Sequence, residues 1–266
     1  MATNRYPQIV FPREVIATES SLSLLGLTFY ALVLTAAFAV RSAAGFGAVL
    51  VAIPMLAFVL PISTAVAVTT VLTAVTSMHQ IGRGWRRVAW RHFVIMAFYS
   101  AMGIGVGFYL INRLNEHALQ YCLGVFLILY SSYTLATAKA SPVFPSRWRG
   151  ALAAGTGVAG GLLGTLFGAG VGPIYVVYFN ALHLEREVFR VTMSTVVLLG
   201  GVARIAGYAS SGFYEPSSIV LIALGLPLVI VGSWVGDRLV RRLDPQTFSW
   251  LVGGLILLSG AALLFK

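Results

Sequence analysis

Two glycine-rich runs, Ser42-Ala43-Ala44-Gly45-Phe46-Gly47 and Phe167-Gly168-Ala169-Gly170-Val171-Gly172, each cut a hydrophobic stretch that then restarts as a short apolar run, Ala48 to Leu60 and Pro173 to Leu182. A helix that starts at such a break presents unpaired N–H groups and the positive end of its dipole, which together attract an anion. Gly45, Gly47, Gly170 and Gly172 let an anion approach the backbone with no Cβ in the way, and Phe46 lies between the first pair. Pro173 suits the first turn of the second restart, where its missing N–H costs nothing. The competing use of these glycines is close helix packing, which is common in membranes.

Cations inside apolar stretches are the next candidates. Arg204 lies well within one such stretch, and the residue 125 positions earlier, at the same place relative to the first glycine run, is His79. Arg41 adjoins the first break. An intramembrane cation costs a few kcal/mol on insertion scales, so it is expected to have a partner, a ligand or a route to the interface. His79 also titrates near neutral pH and is a candidate for proton coupling. Each of the three has a plainer reading: snorkelling for Arg204, an interfacial position for His79, and capping of the preceding helix for Arg41.

Hydroxyls complete this set. Thr69, Thr73, Thr76 and Gln80 follow the spacing of one helical face, and Thr192, Ser194 and Thr195 lie in the equivalent stretch of the second half. Thr70 and Thr195 coincide when the glycine runs are aligned, and both are candidate neutral donors to an oxyanion; the alternative is that they bond back to their own helix carbonyls. Enzyme chemistry finds no support. The four histidines, His79, His92, His117 and His183, are scattered, and there is no HExxH, Gly-x-Ser-x-Gly or phosphate-binding loop. The expectation is no enzyme, no cofactor and no metal. The single cysteine, Cys122, excludes an internal disulfide.

The elements that must position these residues are membrane helices. Hydrophobic residues make up 58% of the chain and charged residues 10%, and the mean hydropathy is +0.88. Soluble domains carry about a quarter charged residues. The net charge of +10 sits mostly in short loops, the pattern of a topology signal and not of nucleic-acid binding. Five apolar segments are expected in each half: 22–40, 48–60, 62–80, 92–111 and 118–138, then 151–166, 173–182, 188–208, 217–236 and 248–265. Residues 1–21 read as a polar N-terminal tail, 22–138 as a first transmembrane repeat, 139–149 as a cytoplasmic linker and 150–266 as a second repeat. Gly103-x-x-Val106-Gly107-x-x-Leu110-x-x-Arg113-Leu114 matches Gly232-x-x-Val235-Gly236-x-x-Leu239-x-x-Arg242-Leu243, six identities in twelve positions.

Loop charge gives the relative orientation of the halves. Arg83, Arg86, Arg87 and Arg91 follow the third segment, whereas the equivalent loop 209–216 has no cation and carries Glu215. The loops after the fourth segments reverse this bias: 112–117 has only Arg113, and 237–246 has Arg238, Arg241 and Arg242. The positive-inside rule therefore predicts inverted halves, with paired breaks at equivalent places as the pointer to a binding site. Trp85, Trp90, Trp148, Trp234 and Trp250 flank loops and read as interface anchors.

The broken glycine segment, the polar third helix, the cationic loop after it and the Gly-x-x-x-Gly fourth helix together resemble the sulfite exporter TauE/SafE family of bacterial membrane proteins, over nearly all of residues 22–265. The resemblance implies export of a sulfur-containing oxyanion or small organic acid across the inner membrane. The expected architecture is an all-α polytopic membrane protein of two inverted repeats. The expected function is a secondary anion transporter working by alternating access, with a small anion and the lipid bilayer as its partners. An anion channel and a non-transporting membrane scaffold are the alternatives. Because the cell interior is negative, an exported anion gains about 2.3 kcal/mol per charge per 100 mV, enough in principle for uniport.

Overall fold

A computed structural model describes residues 24–44, 47–82, 84–111, 113–137, 146–168, 172–182, 184–239, 253–254 and 256–261. The first half comprises α1 (Leu24–Ala44), α2 (Ala48–Leu56), α3 (Ile62–Gly82), α4 (Trp90–Ile111) and α5 (Glu116–Thr137). The second comprises α6 (Arg149–Leu166), α7 (Gly172–Ala181), α8 (Arg186–Ser210) and α9 (Pro216–Leu239), and residues 253–254 and 256–261 of the final apolar segment are helical. The N-terminal tail, most of the link between halves and the loop carrying Arg241 and Arg242 lie outside the described residues.

Local sequence sets the helix ends. Pro216 opens α9, at the position where a missing N–H is harmless. Asn115 caps α5, its side-chain oxygen accepting the Ala118 N–H at 2.9 Å. The short elements are short in the structure too: α2 has 9 residues and α7 has 10. At about 1.5 Å per residue each covers roughly half of a ~30 Å hydrocarbon core. Five helices, α1, α3, α4, α8 and α9, contain stretches long and apolar enough to cross a membrane. Large apolar side chains such as Leu32, Phe98, Met102, Ile230 and Val231 face outward on these helices, as a lipid-facing surface requires, and Trp85, Trp90, Trp148 and Trp234 are exposed near helix ends. The protein is an all-α polytopic membrane protein.

Glycine packing joins the two halves reciprocally. On α4, a Cβ at Gly103 would collide with the Val158 carbonyl oxygen of α6, and one at Gly107 would lie 2.6 Å from the Thr165 Cβ. On α9, a Cβ at Gly232 would lie 2.5 Å from the Thr35 carbonyl oxygen of α1, and one at Gly236 would collide with the Ala39 carbonyl. The matched glycines therefore do the same job, each against the first helix of the other half. Both pairs run parallel, since Tyr30 donates to the Leu221 carbonyl at 2.6 Å at one end of α1–α9 and Ala39 meets Gly236 at the other.

At the centre, α3 and α8 run antiparallel. Ser194 donates to the Gln80 side-chain oxygen at 2.6 Å, the Cβ of Ala74 faces Gly201, and Tyr214 beyond the end of α8 reaches the Ala67 carbonyl at 3.5 Å. One end of this crossing is further tied by the Thr192 hydroxyl, which accepts the Ala89 N–H at 2.9 Å, and by the Arg87–Glu187 ion pair.

Gly103→Ala should destabilise the detergent-solubilised protein by about 1–3 kcal/mol through overpacking. Gly105→Ala, where a Cβ meets open space, should leave the melting temperature nearly unchanged. Thermal unfolding of the two variants beside the parent measures the difference.

Candidate anion site

Arg204, on α8, is 1% exposed, and its Nε and Nη2 have no hydrogen-bond partner. Those two nitrogens share one edge of the guanidinium, the edge that grips two oxygens of an oxyanion side-on. One turn later on the same face, Tyr208 donates to the Thr165 carbonyl at 2.6 Å, tying α8 to the last turn of α6. Tyr175, in the first turn of α7, shares a hydrogen bond with Ser100 of α4 at 2.7 Å, and its ring packs over Gly160 of α6, where a Cβ would strike it. Arg204 is thus one turn from a side chain bonded to the end of α6, and α7 packs on that same helix.

The first break has its own buried cation, held differently. Arg41, in the last turn of α1, is 5% exposed; its Nη2 donates to Ser77 Oγ of α3 at 2.8 Å, and its Nε is unpartnered. Thr73 sits one turn before Ser77 on α3, is 2% exposed, and its hydroxyl also lacks a partner. Gly47 caps α2 with φ 98° and ψ −6°, and its carbonyl accepts the Leu50 N–H at 3.1 Å. That left-handed conformation is open to glycine and strained for most other residues.

The end of α6 meets the other half of the chain. Gly168, at φ 77°, packs against Val49 and Ile53 of α2 and Val66 of α3.

The remaining candidates divide. Gly172 is the buried first residue of α7 and Pro173 the second. Gly45, Phe46 and Gly170 lie outside the described residues. Thr70 donates to the Val66 carbonyl at 2.6 Å and Thr195 to the Val191 carbonyl at 2.8 Å, so both hydroxyl protons serve their own helices. His79 is exposed at the end of α3 and is not gathered with the buried cations. Tyr175, Tyr208 and Ser77 emerge only in the structure. The spacing of Tyr208 four residues after Arg204, and of Ser77 four after Thr73, is the signal that would have found two of them.

Among the described residues no carboxylate pairs with these arginines: the one ion pair there is Arg87–Glu187, with both side chains well exposed. The eight acidic residues of the sequence all fall outside the ten apolar segments. No cluster of metal-ligating side chains occurs among the described residues. A buried guanidinium with a free two-nitrogen edge has the geometry to grip two oxygens of a small oxyanion.

Membrane-crossing helices, two half-helices and unpaired buried arginines define the class of membrane transport proteins. The family model described as "Sulfite exporter TauE/SafE" matches residues 30–263, and the chain belongs to that family of transporters. It is similar to the "Probable sulfite/organosulfonate exporter TauE" of Cupriavidus necator, with 25% identity over 207 residues, 77% of this chain and 79% of the relative. It is also similar to the "Probable inner membrane transporter protein TsaS" of Comamonas testosteroni, with 24% identity over 192 residues, 70% of this chain and 77% of the relative. No solved structure matches.

At Gly47 the structure separates backbone strain from collision, because a Cβ there meets nothing within 4 Å. Gly47→Val should lower anion flux at least roughly tenfold, since a β-branched residue is a poor fit to positive φ. Gly47→Asn, which tolerates that conformation, should keep an intermediate rate. Flux into proteoliposomes, normalised to reconstituted protein, reads both.

Proposed function

We propose that this protein exports a small sulfur oxyanion or organosulfonate across the bacterial inner membrane by alternating access. The anion is held between the N-termini of α2 and α7 and the Nε/Nη2 edge of Arg204. The observation that carries this reading is the buried, unpartnered edge of Arg204, one helical turn from the Tyr208 that bonds to the last turn of α6. Arg41, Thr73 and Ser77 supply donors beside the first break. The names of the relatives favour sulfite or a sulfonate among oxyanions, and one of them is described as an inner-membrane protein.

The same reading takes the halves as inverted repeats. Its support is the antiparallel crossing of α3 and α8, which are equivalent helices by the 125-residue spacing, together with the exchanged pairs α1–α9 and α4–α6. Two equivalent membrane-crossing helices that run in opposite directions follow from a two-fold axis in the membrane plane. Alternating access then amounts to rocking one repeat against the other around the site.

Arg204→Ala should weaken binding of sulfite or methanesulfonate more than Arg204→Lys, which keeps the charge and loses the two-pronged edge. Titration of the purified protein followed by thermal shift measures this, because an anion that binds only the folded state raises the melting temperature. Unchanged affinity in Arg204→Ala would remove Arg204 from the site. For topology, cysteines placed at Trp85 and Ser210, which follow the equivalent helices α3 and α8, should label from opposite sides of the membrane, and labelling from one side would refute the inverted arrangement.

A further inference from the structure

We infer that this transporter is an anion exchanger by construction: its binding site crosses between the two sides much faster loaded than empty. The inference rests on the proposed anion seat at Arg204 and concerns the fate of that charge during the crossing. Alternating access passes through a state closed to both sides, in which bulk water no longer reaches the site. A cation in such a place needs an opposite charge or a full set of acceptors.

The structure offers Arg204 neither on its Nε/Nη2 edge. No acidic residue lies in the interior of any of the five membrane-crossing stretches, and Glu187, at the very start of one, pairs with Arg87 at an exposed position. Neither Tyr208, which donates to the Thr165 carbonyl, nor Tyr175, which bonds to Ser100, accepts a hydrogen bond from that edge. On the side of Nη1 stands Gly200, where even a Cβ would be only 3.2 Å away, so no side chain of that residue assists. Arg41 is partly relieved by Ser77, which makes Arg204 the less compensated of the two. An oxyanion in the seat supplies the missing charge and two acceptors together. The occluded state is therefore stabilised by substrate and disfavoured without it. In the cell, outward passage of one oxyanion is then coupled to inward return with another small anion that fits the same edge.

Proteoliposomes loaded with radiolabelled sulfite test this when diluted into medium with or without unlabelled sulfite, with valinomycin and equal potassium on both sides so that charge movement does not limit net efflux. Exchange should exceed net efflux roughly tenfold or more, corresponding to a barrier difference of ~1.4 kcal/mol. Arg204→Lys should keep the preference at lower affinity, and Arg204→Gln should bring residual exchange and net efflux towards equality. Equal rates of exchange and net efflux in the parent protein would overturn the inference, while loss of binding in Arg204→Gln would leave the anion seat standing. Parent-like affinity and flux in Arg204→Gln would instead overturn the seat itself, and the inference with it.

Discussion

The close approach of helix backbones governs this molecule. Lipid offers no hydrophobic drive for one apolar helix to prefer another, so association depends on packing at short range. Gly103 and Gly107 bring α4 onto α6, and Gly232 and Gly236 bring α9 onto α1, with no room at any of the four for a methyl group. These paired seams hold the outer helices in place, and only inside that frame can α2 and α7 stop partway. A half-helix leaves backbone groups that lipid cannot satisfy, and it survives where protein or an enclosed polar site surrounds it. The burial of α2 from Ala48 to Pro54 and of Leu56 meets that condition.

The site follows from the same frame. The end of α6 rests on α2, and the two buried cations come from different helices. Arg41 comes from α1 and Arg204 from α8, and the 125-residue spacing does not exchange them: position 166 is Leu166 and position 79 is the exposed His79. The two arginines accordingly differ, one sharing its edge with Ser77 and the other leaving both nitrogens open.

Much of the fold was legible because membrane helices are written in composition. Apolar length marked the nine segments that α1 to α9 fill to within a few residues, including the two short ones, since glycine and proline interrupt the pattern where the helices stop. The Gly103 and Gly232 motifs disclosed the seam residues, but not that each seam joins the two halves, because partner choice lies in three-dimensional packing that periodicity does not encode. Among the cations, burial separated Arg204 and Arg41 from His79, a distinction that depends on which way a helix faces. The threonines show the limit most clearly. Thr70 and Thr195 occupy matching places with matching bonds to their own helices, while Thr73, one residue type and one turn away, has a free hydroxyl.

The exchanged seams also set an order of assembly. The hydroxyl of Tyr30 on α1 meets the carbonyl of Leu221 on α9, 191 residues later in the chain. During synthesis α1 enters the bilayer long before its partner exists, and α4 likewise waits for α6. The small-residue faces of α1 and α4 therefore stay unpartnered until the second half is made. A ribosome that stalls before α9 leaves α1 without its partner.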